Sequence, residues 1–333
     1  MFSQWRLQPP RMGVSIHIAD QHCVGWEAKL QTSYRRHWPT RLFRHEVIEN
    51  AVEILKSGHL LSRNDIANNL VRDVAPDQII NNTDAAHGYV RLYFRPRTPT
   101  QYRIEGIRRD DEIWNGRHAP VLCMFVFKFH SLMTRETTHF SNGNMQIPGM
   151  PILNGDHGFA DLDFDKIYHE GSYDTNAQAD IKVWRCAEVL SSEPLHLDDS
   201  LEAVVCRSHA ERQTLLHLLG DYAVNWAHKL MVVTQPGYFN AEFAFVEAAD
   251  LNSDGVSIQF HPRKRAPMET WVSAEAKCLN DLAILHKWPR QEMDLRKTWN
   301  FPFKPIEGKY LFTLKVDDER AFQSVLSYSE APY

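Results

Sequence analysis

Hydrophobic positions repeat with a helical period near the start of the chain and with a strand period after it. In residues 46–57 (EVIENAVEILKS) the apolar side chains recur every three or four positions, which predicts a helix that ends at Gly58. Residues 88–95 alternate in polarity until Pro96 interrupts them, which predicts a strand. Residues 119–130 contain the longest apolar run and predict a buried strand.

The middle of the chain is richer in turn-forming residues. Residues 131–180 are predicted to be mostly loop, with a short helix near 163–169. Short strands are expected at 183–190 and 201–206. The sequence Ser208-His-Ala-Glu211 is a capping box, which predicts a helix that runs to about residue 230.

The last hundred residues carry short alternating runs separated by turn signals, which indicates a β-rich unit. Strands are expected at 242–246, 256–260 and 310–316. The first 30 residues show no clear periodicity and are expected to wrap loosely on the main body. The predicted organisation is therefore an extension at 1–30, a main domain at 31–232 and a β-rich domain of unknown role at 233–333.

The composition is that of a globular protein. The 333 residues are 43% hydrophobic and 24% charged, which is enough to bury a core. No apolar run reaches the about 18 residues of a membrane span, and the start of the chain does not resemble a secretory signal. The five cysteines are odd in number and scattered, which favours a reducing compartment. We therefore expect a cytoplasmic protein without a membrane partner.

The net charge of −5 argues against a nucleic-acid partner, but the charge is unevenly distributed. Residues 1–130 carry 18 basic and 13 acidic residues, and residues 131–333 carry 19 and 29. Residues 28–45 and 85–104 contain arginine and aromatic residues and no acid. Each window can be a solvated basic surface. Arginine also binds phosphate and aromatic rings stack on bases, so two such windows favour an anionic ligand.

Common catalytic and metal motifs are missing from the sequence. There is no GxGxxG, GxxxxGK[ST], HExxH or GxSxG motif, and the 17 histidines show no metal-ligand spacing, so no metal is predicted. One acidic residue, Glu188, lies in a predicted strand between small and apolar neighbours. It is either an exposed residue or a positioned functional carboxylate, and alternation along the strand favours the exposed position.

Four segments resemble the DarT family of NAD-dependent nucleic-acid ADP-ribosyltransferases, over roughly residues 40–232. Residues 89–102 (YVRLYFRPRTPTQY) match the strand motif YV-x-x-YF-x-PR-[ST]-P-x-x-Y. Residues 140–145 (FSNGNM) look like the F-[ST]-DGxA turn, with asparagine at the Asp position. Residues 161–167 (DLDFDKI) and 185–190 (RCAEVL) are similar to the segments that follow, of which the last carries the catalytic Glu of the family.

The resemblance implies an α+β, ADP-ribosyltransferase-like fold, with two packed antiparallel-rich sheets, flanking helices and the small β-rich C-terminal domain in addition. It implies transfer of ADP-ribose from NAD to a base in single-stranded DNA, by a toxin or phage-defence effector. Because Thr98 replaces serine in the strand motif, the chain is more similar to the guanosine-modifying branch than to the thymidine branch.

The resemblance also implies a set of site residues. Glu188 would stabilise a cationic sugar in the transition state, and Arg97 would act with it. Where the family has a histidine that holds NAD, this chain has Arg44, so either Arg44 or the neighbouring His45 makes that contact. The remaining NAD contacts would come from Arg97, Asn50 and Tyr102. The loop at 171–184 corresponds to the substrate-recognition loop. Contacts to the substrate are expected from Tyr173, Arg185, Asn144 and Arg95.

Several alternatives remain open from the sequence. The acceptor of ADP-ribose could instead be RNA or protein, or the protein could be an NAD glycohydrolase. A different class of function is a non-catalytic module that binds single-stranded nucleic acid through the same arginine and aromatic residues. A cognate antitoxin would be a DarG-like macrodomain or a NADAR-type hydrolase.

Overall fold

A computed structural model describes residues 13–66, 84–113, 118–174, 176–233, 237–264 and 269–330. Its strands are β1 Arg41–Val47, β2 His59–Leu60, β3 Val90–Tyr93, β4 Leu122–Lys128, β5 Thr138–Ser141, β6 Glu188–Ser191, β7 Leu195–His196, β8 Leu201–Cys206, β9 Leu230–Val232, β10 Phe245–Asn252, β11 Gly255–His261, β12 Glu269–Cys278, β13 Leu285–Asp294, β14 Trp299–Pro302, β15 Gly308–Val316 and β16 Glu319–Tyr328. Its helices are α1 Ile16–Lys29, α2 Ile48–Ser57, α3 Arg63–Ile66, α4 Asp84–His87, α5 Pro99–Ile104, α6 Phe129–Met133, α7 Gly155–Ala160, α8 Phe164–Ile167, α9 Ala179–Trp184, α10 Leu197–Ser200, α11 His209–Leu219 and α12 Ala223–Trp226.

Seven strands between Arg41 and Val232 form one sheet in the order β5-β6-β3-β1-β4-β8-β9. Its strands are antiparallel except for the parallel pair β8–β9. Strand β4 lies near the centre and is buried on both faces, which explains its continuous apolar run. Antiparallel sheets with flanking helices confirm the predicted α+β class.

The predicted helix at 46–57 is largely confirmed as α2, which begins at Ile48 and ends where Gly58 takes a left-handed conformation. Its buried stripe includes Ile48, Ala51 and Leu55. The residues just before it differ from the expectation. Positions 41–47 form strand β1, so residues 46 and 47, which were expected to begin the helix, belong to the strand. This follows from its pairing with β4 along its whole length.

The N-terminal helix α1 is a correction, because no regular element was expected there. The side chain of Ser15 caps its first turn by accepting a hydrogen bond from the amide of Ile18 at 3.4 Å. Its main buried side chain is His22, which stacks on Phe129 at 4.9 Å and hydrogen-bonds the Tyr168 hydroxyl at 3.0 Å. A helix anchored by a histidine and not by an apolar stripe leaves little periodic signal. Residues 1–12 lie outside the described residues.

The segment before β6 also differs from the expectation. The strand predicted at 183–190 begins only at Glu188, and helix α9 occupies 179–184. The strand predicted at 201–206 is confirmed as β8. The helix predicted from Ser208 to about residue 230 is interrupted at Gly220, so that α11 and α12 are separate. Ser208 caps α11 as predicted, accepting from the amide of Glu211 at 3.1 Å.

The C-terminal residues form a three-stranded sheet, β10-β11-β14, and a four-stranded sheet, β13-β12-β15-β16. They enclose a second apolar core, which includes Phe301, Phe312 and Phe322. Helix α11 packs on this unit, and its Thr214 hydroxyl accepts a hydrogen bond from the amide of Gln323 at 3.2 Å. The predicted division at residues 30 and 232 stays a prediction. Among the described residues, no helix has the length and apolar character needed to span a membrane.

Candidate active site

Glu188 lies at the start of β6, inside the central sheet. Its register partners are Tyr93 on β3 and Ser141 on β5, so strands cover it from both sides. All four residues of β6 are buried, and the exposed fraction of Glu188 is 0%. The exposed interpretation favoured by alternation is therefore wrong, because neither face of this strand meets solvent.

Arg91 binds the Glu188 carboxylate with two nitrogens. Its Nε donates to Oε2 at 3.0 Å and its Nη2 donates to Oε1 at 2.5 Å. A third donor, the backbone amide of Met145, lies 3.1 Å from Oε2. The Asn144 side chain accepts from the same Arg91 Nη2 at 2.9 Å. The turn after β5 thus contributes both an amide and a side chain to the surroundings of the carboxylate.

Strand β1 and helix α2 carry three of the predicted NAD-binding residues, Arg44, His45 and Asn50. The Arg44 guanidinium donates to the backbone carbonyl of Arg91 at 2.9 Å. It also donates to Glu46 at 2.6 Å, and Glu46 in turn accepts from the Asn50 amide at 3.4 Å. Arg44 and Asn50 are therefore brought together through Glu46, which was not among the predicted site residues.

His45 stacks on Tyr93 with 5.5 Å between ring centroids. Burial, together with the charges of Arg44 and Arg91, lowers the pKa of His45 to about 3, so its ring is neutral near pH 7. Burial and the nearby Glu188 raise the pKa of Tyr93 above its ordinary value. A neutral histidine can accept or donate a hydrogen bond but offers no positive charge to a phosphate.

Arg97 lies in a turn between β3 and α5 with a left-handed backbone, φ 58°. Its amide donates to the side chain of Gln101 at 2.7 Å. Gln101 is fully buried, and its own amide group donates to Glu105 at 3.0 Å and to the carbonyl of Tyr238 at 2.9 Å. The conformation of Arg97 is thus held by a buried side chain that also binds the segment leading into the C-terminal unit.

The side chain of Arg97 meets the other basic window at Tyr34. Its Nη1 donates to the Tyr34 hydroxyl at 2.8 Å and lies 3.1 Å from Glu170. The Tyr34 hydroxyl donates to Glu170 at 2.7 Å. Burial alone would raise the pKa of the Glu170 carboxyl, but the guanidinium groups of Arg95 and Arg97 lower it below its usual value.

Arg95 has different surroundings from those expected of a substrate-binding residue. Only 1% of it is exposed, and its guanidinium donates to Glu170 and lies over the Trp38 ring at 4.7 Å. The same group donates to the backbone carbonyl of Ile167 at 3.3 Å. Burial lowers the pKa of Arg95 to about 10. In this structure the Arg95 guanidinium binds Glu170, and its expected role in substrate binding stays a prediction.

The expected substrate residues Tyr173 and Arg185 lie together. The Arg185 guanidinium is 4.8 Å from the centroid of the Tyr173 ring. It donates to the carbonyl of Gly171 at 2.7 Å and is 2.6 Å from Nδ1 of His169. Arg185 therefore closes the base of the 171–184 loop.

Tyr102 is directed toward the C-terminal unit. Its hydroxyl donates to Glu242 at 3.4 Å and its ring packs against Phe243 at 5.2 Å. The contacts of Tyr102 thus differ from those of Arg97 and Glu188, and its expected role in NAD binding stays a prediction.

Besides Glu46, sequence reasoning missed three residues that complete these clusters. Arg91 and Tyr34 lie in the two basic windows and could have been selected there. Glu170 has no signal in the sequence, because its partners are 73 to 136 positions away along the chain. Its role is apparent only in the folded protein, where the loop before α9 packs against the turn that carries Arg95 and Arg97.

The donor groups of the site suit an anion. Among the described residues, the buried Nε atoms of Arg97 and Arg185 have no hydrogen-bond partner, and arginine N–H groups match phosphate oxygens. Over the ranges that the structure describes, no group of three or more His, Cys, Asp or Glu residues could hold a metal ion.

Comparison with known proteins identifies one family. The family described as "ssDNA thymidine ADP-ribosyltransferase, DarT" matches residues 43–239. The structure of Thermus sp. 2.9 DarT in complex with ADP-ribosylated ssDNA is similar, with a TM-score of 0.50 and 19% identity over 60% of this chain and 96% of that chain. The structure of the same protein in complex with carba-NAD+ has a TM-score of 0.48 and 19% identity over 60% of this chain and 98% of that chain. The first of these likenesses shows a shared fold. Curated protein sequences give no significant match.

Proposed function

Because this chain belongs to the DarT family of ADP-ribosyltransferases, we propose that it transfers ADP-ribose from NAD to a base in single-stranded DNA. The observation that carries the proposal is the buried carboxylate of Glu188, held by three N–H donors at the start of β6, which pairs with a strand on each side. A carboxylate that is fixed in advance can stabilise positive charge on a sugar without reorganising.

Glu188 is the proposed catalytic residue. Breaking the bond between nicotinamide and ribose develops positive charge on the sugar, as in glycoside hydrolysis, and an adjacent anion lowers that barrier. NAD supplies the ADP-ribosyl group and the leaving nicotinamide. The Glu188 carboxylate would also accept a hydrogen bond from a ribose hydroxyl and the proton of the incoming base.

The proposed NAD contacts are Arg97 and, from β1 and α2, Arg44 and Asn50. The Arg97 guanidinium binds Tyr34 and Glu170 through Nη1, and its Nε has no hydrogen-bond partner within the described residues. Between Arg44 and His45, the charged Arg44 suits a pyrophosphate, since the low pKa of His45 leaves its ring neutral. Asn50 is joined to Arg44 through Glu46 and would contribute from the same side.

Tyr173 and Arg185 are the proposed contacts to the DNA strand. An unpaired base can stack on the Tyr173 ring, and the Arg185 guanidinium beside it can bind a phosphate. A ring nitrogen inside a duplex is inaccessible, which is why a single strand is proposed. Asn144 is placed beside Glu188 through Arg91 and could contact the base there.

Guanosine is the proposed acceptor base, because the 89–102 motif, with Thr98, is more similar to the guanosine-modifying branch. The description of the matching family names thymidine. A role as a toxin or phage-defence effector, countered by an antitoxin hydrolase, is proposed from the family alone. Growth arrest on expression, relieved by a Glu188 variant, is expected for a toxin.

Mass spectrometry of nucleosides after incubation with NAD and single-stranded oligonucleotides tests the proposal. ADP-ribosylated deoxyguanosine is expected, and modified thymidine would correct the base. Glu188→Gln should lower the rate by about 10³-fold. Glu202→Gln is the matched control, because Glu202 also forms a two-pronged arginine pair in the same sheet, with Arg41.

Other outcomes identify the alternatives. NAD cleavage without any labelled nucleic acid would indicate a glycohydrolase, and label on RNA or protein would change the acceptor. Retention of DNA without consumption of NAD would indicate a binding module. A Glu188→Gln protein with wild-type transfer would remove Glu188 from the chemistry.

A further inference from the structure

Among the residues that the structure describes, one side chain, that of Arg91, orients the carboxylate of Glu188. The two parallel N–H···O bonds, at 3.0 and 2.5 Å, fix both the position and the rotation of the carboxylate plane. Glu188 is 0% exposed and Arg91 17%, so water contributes little to holding either group. No predicted site residue makes a comparable contact with Glu188.

Arg91 is itself braced from two sides. Its Nη2 donates to Asn144 at 2.9 Å, and Asn144 is held by the amide of Gln146 at 2.8 Å. Its backbone carbonyl accepts from Arg44 at 2.9 Å. Burial by itself would lower the pKa of Arg91, but Glu188 raises it above its ordinary value, so the guanidinium stays charged.

The two carboxylate oxygens of Glu188 accept different numbers of hydrogen bonds. Oε2 accepts from Arg91 and from the Met145 amide, which uses both of its lone-pair positions. Within the described residues, Oε1 has one donor, the Arg91 Nη2. These residues therefore leave one acceptor position of Oε1 unfilled, inside a side chain that is 0% exposed.

We propose that Arg91 is the positioning residue of the active site, and that by binding both oxygens it holds the Glu188 carboxylate in a single orientation for the reaction with ribose. The inference rests on the proposed function. Arg91 acts through Glu188 and touches no reacting atom. Its loss leaves the carboxylate free to rotate, and displacement by about 1 Å can cost about 100-fold in rate.

Steady-state kinetics of NAD cleavage and DNA transfer with three variants test the proposal. Arg91→Ala should lower kcat by about 100-fold while KM for NAD stays near the wild-type value. Millimolar guanidinium should restore part of kcat, because the free cation can refill the cavity and make the same paired bonds. Arg91→Lys, with one point charge in place of a planar fork, should give an intermediate kcat.

Arg41→Ala is the matched control. Arg41 forms the same two-pronged pair with Glu202 in the same sheet, so its loss removes a comparable ion pair away from Glu188. Guanidinium should not stimulate this variant. Circular dichroism verifies the folding of each protein, and Arg91→Lys decides the question if Arg91→Ala does not fold.

Three results would overturn the role of Arg91. These are wild-type kcat in Arg91→Ala, wild-type kcat in Arg91→Lys, and a loss in folded Arg91→Ala that guanidinium does not reverse. A wild-type protein that cleaves no NAD would instead contradict the proposed function. The two failures are therefore distinguishable.

Discussion

Arg97 has a left-handed backbone, which permits its strain to be measured separately from its chemistry. A non-glycine residue in this conformation costs about 1–2 kcal/mol. Glycine avoids that cost but loses about 0.5–1 kcal/mol more backbone entropy on folding than alanine. Arg97→Ala and Arg97→Gly both lose the contacts with Tyr34 and Glu170, so those terms cancel. The glycine variant should therefore be more stable than the alanine variant by about 0.5–1 kcal/mol.

Urea unfolding of the two variants, compared at a shared m-value, measures this difference as a shift in midpoint. Glu53 provides a control with the opposite sign, because it is exposed in the interior of α2. At this position the free energy of unfolding of the alanine variant should be higher than that of the glycine variant by about 1 kcal/mol. Both Arg97 variants should lose DNA modification, since neither has a guanidinium. An alanine variant as stable as the glycine variant would refute the strain argument.

Two further predictions concern buried groups. Burial lowers the pKa of His22 to about 3, so between pH 6.5 and 3 the unfolded chain binds a proton that the folded protein does not. As pH falls through this window, the free energy of unfolding of the wild type should decrease by about 1.4 kcal/mol per pH unit more than that of His22→Asn. Urea unfolding at several pH values measures this difference. An equal pH dependence in the two proteins would contradict the prediction. Gln101→Glu should destabilise by about 3 kcal/mol and impair transfer, since it places a second carboxylate beside buried Glu105; unchanged melting and activity would contradict this.

Local sequence was sufficient for elements whose signal lies within the element. The stripe in 46–57 and the stop at Gly58 predicted α2, because period and punctuation are properties of adjacent residues, and the short strand expected at 201–206 is β8. Helix α1 was missed because its buried anchor is a histidine. The strand predicted at 183–190 began late because α9 replaced its first residues.

The sequence by itself determined which chemical groups are available: a carboxylate on a short strand, an arginine between two prolines, and two acid-free basic windows. Only the tertiary structure decided their partners. Glu188 is buried because β6 pairs on both edges and is covered on both faces, which alternation along four residues cannot reveal. Arg91 reaches Glu188 across 97 positions, and Arg95 is directed instead to Glu170. Sheet register and loop packing set such pairings, and neither is encoded in the local period of the chain.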